Sequence, residues 1–251
     1  MKITEIWRYP VKSMLGEQLE QANVGPGGIG GDRQWAVVDA ESNVSLSAKR
    51  YADLLCCRAW TIDGEVIIRL PDGREHPAGS AEVALGLSEL LGRQVATRSA
   101  QDIETIQHEF PTAVTEGKGE PFLFEPGTEG FFDCSPLQLL TTGTLAKLQQ
   151  LLPASIIHRA RFRPNFLVET SEIGFIENHW VNKDVNLGSL SCHIYDHTRR
   201  CVMVARGQGD LPLDPDVIRT VLKRNNGIAG VALKTLDSGT LCCGAKVEVL
   251  T

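Results

Sequence analysis

Apolar and polar positions along the chain predict many short β-strands. The candidate segments are rich in Val, Ile, Trp and Tyr, and most end at turns made by Gly, Pro, Asp or Asn, which is the pattern typical of strands. Asp63-Gly64 and residues 71–73 are two such turns. The predicted strands are residues 2–9, 18–24, 35–39, 56–62, 65–70, 95–98, 165–169, 185–187, 190–195, 201–205 and 246–250.

Two segments have the three-to-four-residue apolar spacing of an amphipathic helix instead. Residues 81–91 have this spacing and are followed by Gly92, a residue that commonly ends helices. Residues 214–224 begin with acidic residues and end with Lys and Arg, which suits the helix macrodipole. Both segments are therefore predicted as helices.

The leucine-rich segment that follows Ser135 is predicted as a third helix. Ser135 is a favourable N-cap and Pro136 a favourable first helical position, with a break at residues 141–143 as an alternative. Just before it, residues 113–128 are rich in Gly, Pro and Glu and predict a linker or a flexible lid. Many strands and few helices together predict a mainly β fold with α-helical additions, an α+β fold.

Composition and charge narrow the class of protein. The 251 residues are 42% hydrophobic and 22% charged, as in ordinary globular proteins, and the net charge is -6. An acidic chain is poorly suited to binding nucleic acid or an anionic membrane surface. Residues 1–20 lack an apolar signal segment, and no apolar run reaches the roughly 18–20 residues of a spanning helix. We therefore expect a cytoplasmic protein without nucleic-acid or membrane partners.

The seven cysteines do not predict a disulfide framework. Their number is odd, a reducing compartment is expected, and no CxxC motif is present. The vicinal pairs Cys56-Cys57 and Cys242-Cys243 would point to opposite faces of a strand and so chelate poorly. The sequence also lacks a four-cysteine iron–sulfur motif.

Candidate chemistry first appears in residues 158–169, where Arg159, Arg161 and Arg163 precede a strand-like apolar segment. Guanidinium groups form paired hydrogen bonds with phosphate or carboxylate, so this concentration in an acidic chain indicates an anion site. Pro164 predicts an extended conformation at Arg163, and Asn165 adds an amide that donates and accepts. The alternative is a solvated basic edge without a ligand.

A glycine-dense loop at residues 25–33 contains a formal GxGxxG at residues 25–30. A dinucleotide-binding loop must lead from a strand into a helix, whereas this one leads into a predicted strand, so we reject that interpretation. The loop can still bring backbone N–H groups and Arg33 to an anion. The alternative is a strained turn in which Arg33 pairs with Asp32 or Glu41.

Residues 191–204 allow two further interpretations. His193, His197 and Cys201 are spaced by four, which on a helix would suit zinc, although the β-branched and aromatic residues favour a hairpin. Alternatively Cys201 acts alone, since the guanidinium groups of the two preceding arginines favour its thiolate. A buried, inert cysteine at the start of a strand is the plain alternative.

Five short motifs occur together in a fixed order along the chain. They are Tyr9-Pro10-Val11-Lys12-Ser13, Gly31-Asp32-Arg33, Asp133-Cys134-Ser135-Pro136, Arg161-Phe162-Arg163-Pro164-Asn165 and Arg199-Arg200-Cys201. In these motifs and their order the chain resembles MOSC-domain proteins that carry an N-terminal β-barrel domain, the group that includes the mitochondrial amidoxime-reducing component. The resemblance implies a MOSC β-barrel domain at residues 120–251 and a β-barrel-like domain at residues 1–119.

The resemblance implies a site for the molybdenum cofactor (molybdopterin). By position in the motifs, Cys201 would ligate molybdenum and be the catalytic residue. A dithiolene-bound metal suits one soft thiolate, and a phosphate tail suits Arg and Lys. The residues that would bind the rest of the cofactor are Lys12, Ser13, Arg33, Ser135, Arg163 and Asn165.

The implied activity is reduction of small N-hydroxylated compounds such as amidoximes and hydroxylamines. Electrons would come from a separate flavoprotein, iron–sulfur or haem protein, and His197 or Asp196 is a candidate proton donor. Two alternatives stay open, a persulfide or cofactor carrier that uses Cys201, and a binding module without turnover. Residues 205–209 and 242–245 depart from the family pattern, which leaves the substrate preference open.

Overall fold

The fold is mainly β with three α-helices among the residues that the computed structural model describes, namely 1–109, 121–124 and 130–250. This confirms the predicted α+β class. The helices are α1 (Ala81–Leu91), α2 (Thr142–Leu151) and α3 (Pro215–Asn225). The strands in chain order are β1 (Lys2–Arg8), β2 (Glu17–Leu19), β3 (Gln21–Gly25), β4 (Gly28–Ile29), β5 (Trp35–Asp39), β6 (Val44–Ser45), β7 (Arg58–Ile62), β8 (Glu65–Arg69), β9 (Glu75–Pro77), β10 (Val95–Ser99), β11 (Ile106–Glu109), β12 (Pro121–Phe124), β13 (Leu137–Thr141), β14 (Phe166–Glu169), β15 (Lys183–Leu187), β16 (Leu190–Arg199), β17 (Ile228–Thr235), β18 (Gly239–Cys242) and β19 (Val247–Val249).

An eight-stranded sheet in the order β19-β15-β16-β17-β13-β14-β1-β2 joins the two ends of the chain. The first strand, β1, lies antiparallel to β14, with Ile6 opposite Phe166. The neighbouring strands β13 and β14 are parallel. Fully buried apolar side chains from these strands, among them Ile194 and Leu233, form the main core. The N-terminal strands are thus part of the sheet that the C-terminal half builds.

Smaller sheets lie in the N-terminal part of the described chain. The strands β10-β5-β6-β11-β12 form one sheet, and β7-β8-β9 form another. Their apolar side chains pack with α1 around a second core that includes Val37, Ile68 and Leu87. The short strands β3 and β4 pair with β18 from near the end of the chain. A third apolar cluster packs α2 and α3 against the large sheet.

Two predicted helices are confirmed. The side chain of Ser80 accepts a hydrogen bond from the N–H of Val83 at the start of α1, and Gly92 ends that helix in the left-handed conformation. The side chain of Asp214 caps α3 in the same way, and Lys223 and Arg224 lie in its last turn. Local capping signals therefore determined both helices.

The predicted helix start at Ser135 and Pro136 is wrong. Leu137–Thr141 is strand β13, and the helix α2 begins only at Thr142, with the side chain of Thr141 as its cap. Strand β13 is central and pairs on both sides, so its apolar side chains are buried on both faces. A short apolar run of this kind has no alternation that would distinguish it from a helix.

The predicted strand at residues 201–205 is also wrong, because Val202–Ala205 is a short 3₁₀ helix.

The sequence pattern also missed the central strand β17. Its first six residues are all buried, so the polar–apolar alternation of a one-sided strand is absent. Gly230 within β17 has φ +90, and a Cβ there would approach the carbonyl oxygen of Leu139 to 2.7 Å.

The predicted linker or lid at residues 113–128 lies mostly outside the described residues, although residues 121–124 form β12. The predicted domain boundary between residues 119 and 120 also falls outside them and stays a prediction. None of the described helices combines the length and apolar character needed to span a membrane.

Strand direction brings several predicted site segments to one edge of the large sheet. Because β13 and β14 are parallel, the segments that precede them, residues 131–136 and 162–165, begin at the same edge. The antiparallel strand β1 ends at this edge, so residues 9–14 also arrive there. Three segments that are far apart in sequence thus become neighbours.

Candidate functional site

A cavity of about 430 Å³ lies at this edge, within the usual size range for small-molecule sites. Six of the seven predicted site residues line it, and they are Lys12, Ser13, Arg33, Ser135, Arg163 and Cys201. The seventh, Asn165, is fully buried behind the wall. The cavity wall also contains Lys49, Arg200, Cys134 and three aromatic side chains that the sequence analysis did not assign to a site, namely Phe131, Phe132 and Phe162.

Asp32, which is fully buried, organises the wall around Arg33. One carboxylate oxygen accepts the backbone N–H of Tyr9 at 2.6 Å. The other pairs with the Arg33 guanidinium and accepts the Asn165 amide at 2.9 Å. Asn165 also accepts the backbone N–H of Gln138 at 3.1 Å, so it joins the loop beside Arg33 to β13. Asn165 therefore positions the wall from behind.

Tyr9 separates two of the cavity arginines. The guanidinium carbon of Arg33 lies 4.7 Å from the centre of the Tyr9 ring, and that of Arg163 lies 4.3 Å from it. The Tyr9 hydroxyl donates to the carbonyl oxygen of Pro164 at 3.1 Å, which fixes the ring. The cation–π contacts hold both positive groups at the cavity despite their mutual repulsion. Burial raises the pKa of Tyr9, so the ring stays neutral at physiological pH.

Three cavity residues have left-handed backbone conformations that side chains other than glycine rarely adopt. The φ angles are 68° at Ser13, 52° at Arg33 and 51° at Arg163, so the extended conformation predicted for Arg163 is wrong. Such a conformation costs about 1–2 kcal/mol per residue. Strain of this kind is concentrated at functional sites in proteins, where the side chain is needed despite the cost.

The three arginines of residues 158–169 have separate roles. Arg159 pairs with Glu5 at 2.5 Å and stacks on a tryptophan ring outside the cavity. Arg161 is buried and donates to four backbone carbonyl groups, including that of Pro212 at 2.9 Å, so it holds the loop that follows Cys201. Arg163 lines the cavity and donates to the carbonyl oxygen of Met14 at 2.6 Å. Arg161 also lines the cavity, but its guanidinium is committed to backbone carbonyls, so Arg163 fits the predicted anion site better.

Arg200 places Cys201 at the cavity. Its Nε donates to the Ala229 carbonyl at 2.7 Å, and its Nη1 donates to the Phe162 carbonyl at 2.7 Å. Burial lowers the pKa of Arg200 to about 10 and that of Arg163 to about 10, so both are still cationic at physiological pH. The half-buried Cys201 follows directly and faces the same cavity.

Two buried polar atoms of the wall have no hydrogen-bond partner. They are Nη2 of Arg200 and the hydroxyl oxygen of Thr198. Buried polar groups are nearly always satisfied, so exceptions in a cavity wall indicate groups that a ligand completes. A side chain at Gly230 would come within 3.1 Å of this Arg200 nitrogen, so glycine leaves space for the guanidinium.

Two buried lysines of the cavity lining share one carboxylate. Lys12 pairs with Asp133 and donates to the Phe131 carbonyl at 3.4 Å. The Lys49 ammonium lies 2.9 Å from the other oxygen of Asp133. Burial lowers the pKa of Lys12, and the neighbouring carboxylate opposes that change. Lys49 lies in a turn outside every motif, so only the structure could assign it to the site.

The zinc alternative finds no support in the described residues. The ring of His193 contacts Asp184 at 2.7 Å, and that of His197 contacts the Asn178 carbonyl at 3.2 Å. Neither histidine lines the cavity with Cys201, and the described residues contain no cluster of three or more His, Cys, Asp or Glu that would hold a metal ion. Asp196, the other candidate proton donor, is exposed and also lies outside the cavity wall.

The charge of the cavity is strongly positive. Its described lining contains seven basic residues, of which Arg199 is the exposed one, and one acidic residue, Asp133. In a chain with a net charge of -6 this is a local reversal of sign. The arrangement can bind an anionic ligand and present one or two thiols to it.

The comparisons with protein-family models identify the family. Residues 1–107 match the MOSC N-terminal beta barrel domain, and residues 126–248 match the MOSC domain. The chain belongs to the MOSC-domain family, in the group that carries this N-terminal domain. MOSC domains are associated with molybdenum-cofactor-binding proteins in general. A search of curated protein sequences gave no match.

The comparison with solved structures supports the fold. The crystal structure of the YuaD protein from Bacillus subtilis has a TM-score of 0.52 and 10% identity, and the match covers 99% of this chain and 94% of that one. At that identity the likeness shows the fold alone. YiiM from Geobacillus stearothermophilus has a TM-score of 0.37 and 12% identity over 47% of this chain and 55% of that one. Such a score is too low to carry an argument.

The donor set fits a molybdenum cofactor. One thiol, Cys201, offers the single soft ligand that a dithiolene-bound metal needs. Buried cations suit a phosphate, and the unsatisfied atoms of Thr198 and Arg200 offer further polar contacts.

Proposed function

We propose that this protein binds the molybdenum cofactor and uses it to reduce N-hydroxylated compounds. The observation that carries the proposal is the convergence on one cavity of Cys201 with Lys12, Arg33, Arg163 and Arg200, which come from distant parts of the chain. Family membership supports the cofactor in general terms. Reduction of N-hydroxylated substrates is our extension of the family resemblance.

Each wall would have its own role. Cys201 would hold the metal, and Arg200 would keep the segment that bears it against the sheet. Lys12 and Lys49 lie together on the side of Asp133 and would bind a phosphate. Arg33 and Arg163, held apart by Tyr9, would contact the anionic or heteroaromatic part of the ligand. When bound, the cofactor would supply two-electron oxygen-atom transfer.

The substrate would approach an apolar part of the wall. Phe131 and Phe132 belong to the cavity lining, and so do Val202 and Met203, which follow Cys201 in the chain. These side chains would exclude water from the reacting centre. Cleavage of the N–O bond consumes two electrons and two protons and releases water. Neither His197 nor Asp196, the candidate proton donors, lines the described cavity wall. The electrons would come from a separate flavoprotein, iron–sulfur or haem protein.

Elemental analysis tests the cofactor. Protein from a host that makes the molybdenum cofactor is expected to contain close to one molybdenum per chain. Cys201→Ser should reduce the molybdenum content at least tenfold, because a hydroxyl is a poor ligand for a soft site. Cys134→Ser is the matched control, since it removes the other cavity thiol and should retain the metal.

Molybdenum that is lost equally from both variants would contradict the assignment of Cys201. Activity is then measured with an amidoxime or a hydroxylamine and a chemical electron donor. Loaded protein that reduces neither compound would leave the cofactor site in place and overturn the proposed reaction.

A sulfur-carrier role is the second candidate, and Cys134 favours it. Its thiol lines the same cavity, and burial, with a smaller contribution from the neighbouring Asp133, raises its pKa. In this role the Cys201 thiolate would attack a persulfide donor, take its terminal sulfur and release the donor thiolate. Metal-free protein that gains one sulfur atom on Cys201 by mass spectrometry, and contains no molybdenum from a competent host, would favour the carrier.

A further inference from the structure

Asp133 occupies an unusual position between two buried ammonium groups. Only 6% of Lys12 and 5% of Lys49 is exposed, whereas Asp133 is an exposed residue at the cavity. One oxygen of Asp133 pairs with Lys12, and the other lies 2.9 Å from Lys49. The single carboxylate thus spans both positive charges.

The two lysines need an anion whether or not a ligand is bound. Removing an ammonium from water is costly unless an opposite charge compensates it, and here two lie near each other. Both lysines line the cavity with little of their surface exposed, so a counter-charge at the cavity must compensate them. The carboxylate is the partner that a ligand can reach, because its side chain is 32% exposed whereas those of the two lysines are 6% exposed.

We propose that Asp133 is an internal competitor for the anion site, which releases Lys12 and Lys49 only to a phosphate group. The identity of the ligand rests on the proposed function, since a cofactor with a phosphate tail is the expected occupant. A phosphate monoester carries a charge of about -1.5 to -2 at neutral pH. It therefore compensates both lysines better than the carboxylate that it displaces. A singly charged anion carries the same charge as the Asp133 carboxylate, so it would compensate the two lysines no better than Asp133 does.

Asp133 would thus act as a specificity-determining residue. It would stabilise the empty site, reject chloride and small carboxylates, and yield to phosphate. The proposal predicts opposite effects of removing the carboxylate, namely lower stability without ligand and higher affinity with it.

Calorimetric titration with inorganic phosphate tests this in the full chain, purified from a host that cannot make the cofactor. Asp133→Asn is expected to bind phosphate roughly tenfold more tightly than the natural chain, because the carboxylate that contacts both lysines no longer competes. The variant should also bind acetate, which the natural chain should reject. Asp63→Asn is the matched control, because it removes the same charge from an exposed hairpin turn outside the cavity. It should not change phosphate affinity.

Thermal unfolding gives a second readout. Phosphate should raise the melting temperature of Asp133→Asn more than that of the natural chain. If the variant folds only when phosphate is present, the proposal is supported, and if it stays unfolded in saturating phosphate, the proposal is wrong. Phosphate affinity that is unchanged or weaker in Asp133→Asn, or no binding by either protein, would also overturn it.

The test separates this inference from the proposed function. If the natural chain contains molybdenum but Asp133→Asn binds phosphate no more tightly, only the proposed competitor role of Asp133 is wrong. If Asp133→Asn binds phosphate more tightly but the natural chain never contains molybdenum, only the proposed molybdenum cofactor is wrong.

Discussion

The interior of the large sheet and the cavity at its edge are neighbours, but they differ in the polarity of their side chains and in the conformation of their backbone. Phe166 opens β14, is fully buried and packs among apolar side chains in regular strand geometry. Three residues earlier, Arg163 has a left-handed backbone and a cationic side chain with its pKa lowered by burial. The apolar side chains of the sheet interior stabilise the folded state, whereas the left-handed backbone and buried charge at the cavity destabilise it.

This difference indicates which residues serve stability and which serve a ligand. Apolar burial in the sheet is favourable without any partner. Clustered cations, left-handed backbone at residues other than glycine and unsatisfied polar atoms are all unfavourable without a compensating partner. Where such features coincide, the structure is organised for something that it binds. Substitutions in the two regions should therefore separate stability from ligand binding.

The largest effect is expected in the sheet interior. Phe166→Ala should lower the free energy of unfolding by about 3–5 kcal/mol, because the lost side chain leaves a cavity in a closely packed core. Urea unfolding followed by circular dichroism measures the change. Leu236→Ala, at a position that is 56% exposed, is the control and should have little effect. Equal losses in the two variants would contradict the assigned core.

A smaller effect on stability, but a large one on binding, is expected at the cavity. Arg163→Gly should change the free energy of unfolding by no more than about 1 kcal/mol, because relief of the left-handed strain offsets the lost hydrogen bond to Met14. Affinity for inorganic phosphate should fall roughly tenfold with the loss of a guanidinium. Calorimetric titration and urea unfolding provide the two values.

The control for this substitution is Asn182→Gly. Asn182 also has a positive φ, of 65°, but it is exposed and lies outside the cavity. Its replacement should relieve the same strain without changing phosphate affinity. A loss of affinity in both variants would show that backbone flexibility, rather than the guanidinium, is responsible.

The smallest effect concerns a buried carboxyl group behind the cavity. Glu177 is fully buried, accepts hydrogen bonds from the hydroxyls of Thr141 and Thr144 at 2.7 Å each, and has its pKa raised by burial. The folded state therefore keeps a proton that the unfolded state loses near pH 4.3. Stability should fall as pH rises from that value through the folded pKa.

Glu177→Gln should remove this dependence, so its stability relative to the natural chain should increase with pH. Urea unfolding at several values between pH 4.5 and 8 measures the trend. Glu172→Gln, which changes an exposed glutamate nearby, is the control. Parallel pH profiles for the natural chain and Glu177→Gln would rule out a titrating Glu177.

Local signals in the sequence were sufficient where one face of an element is exposed or a cap is present. Helix α1 was predicted with its correct bounds because its apolar spacing ends at Gly92. Strands β13 and β17 were misassigned or missed because both are central and buried on two faces. Apolar residues without periodicity do not indicate their secondary structure.

The site shows the same division. The short motifs around Lys12, Arg33 and Cys201 identified the family and most of the cavity wall. Lys49 belongs to no motif and reaches the cavity only because its turn packs beside Asp133. Asn165 belongs to a motif, yet its amide faces Asp32 behind the wall.

The sequence by itself determined the residue types at the site, namely one thiol after two arginines and cations in turns between strands. It also determined the capped helices and the overall mainly β composition. Only the tertiary structure decided which of these groups meet, because strand pairing between residues more than a hundred positions apart sets their distances. It alone placed Arg163 in the cavity and Arg161 against backbone carbonyls, since the direction of a side chain depends on the backbone that the whole fold imposes.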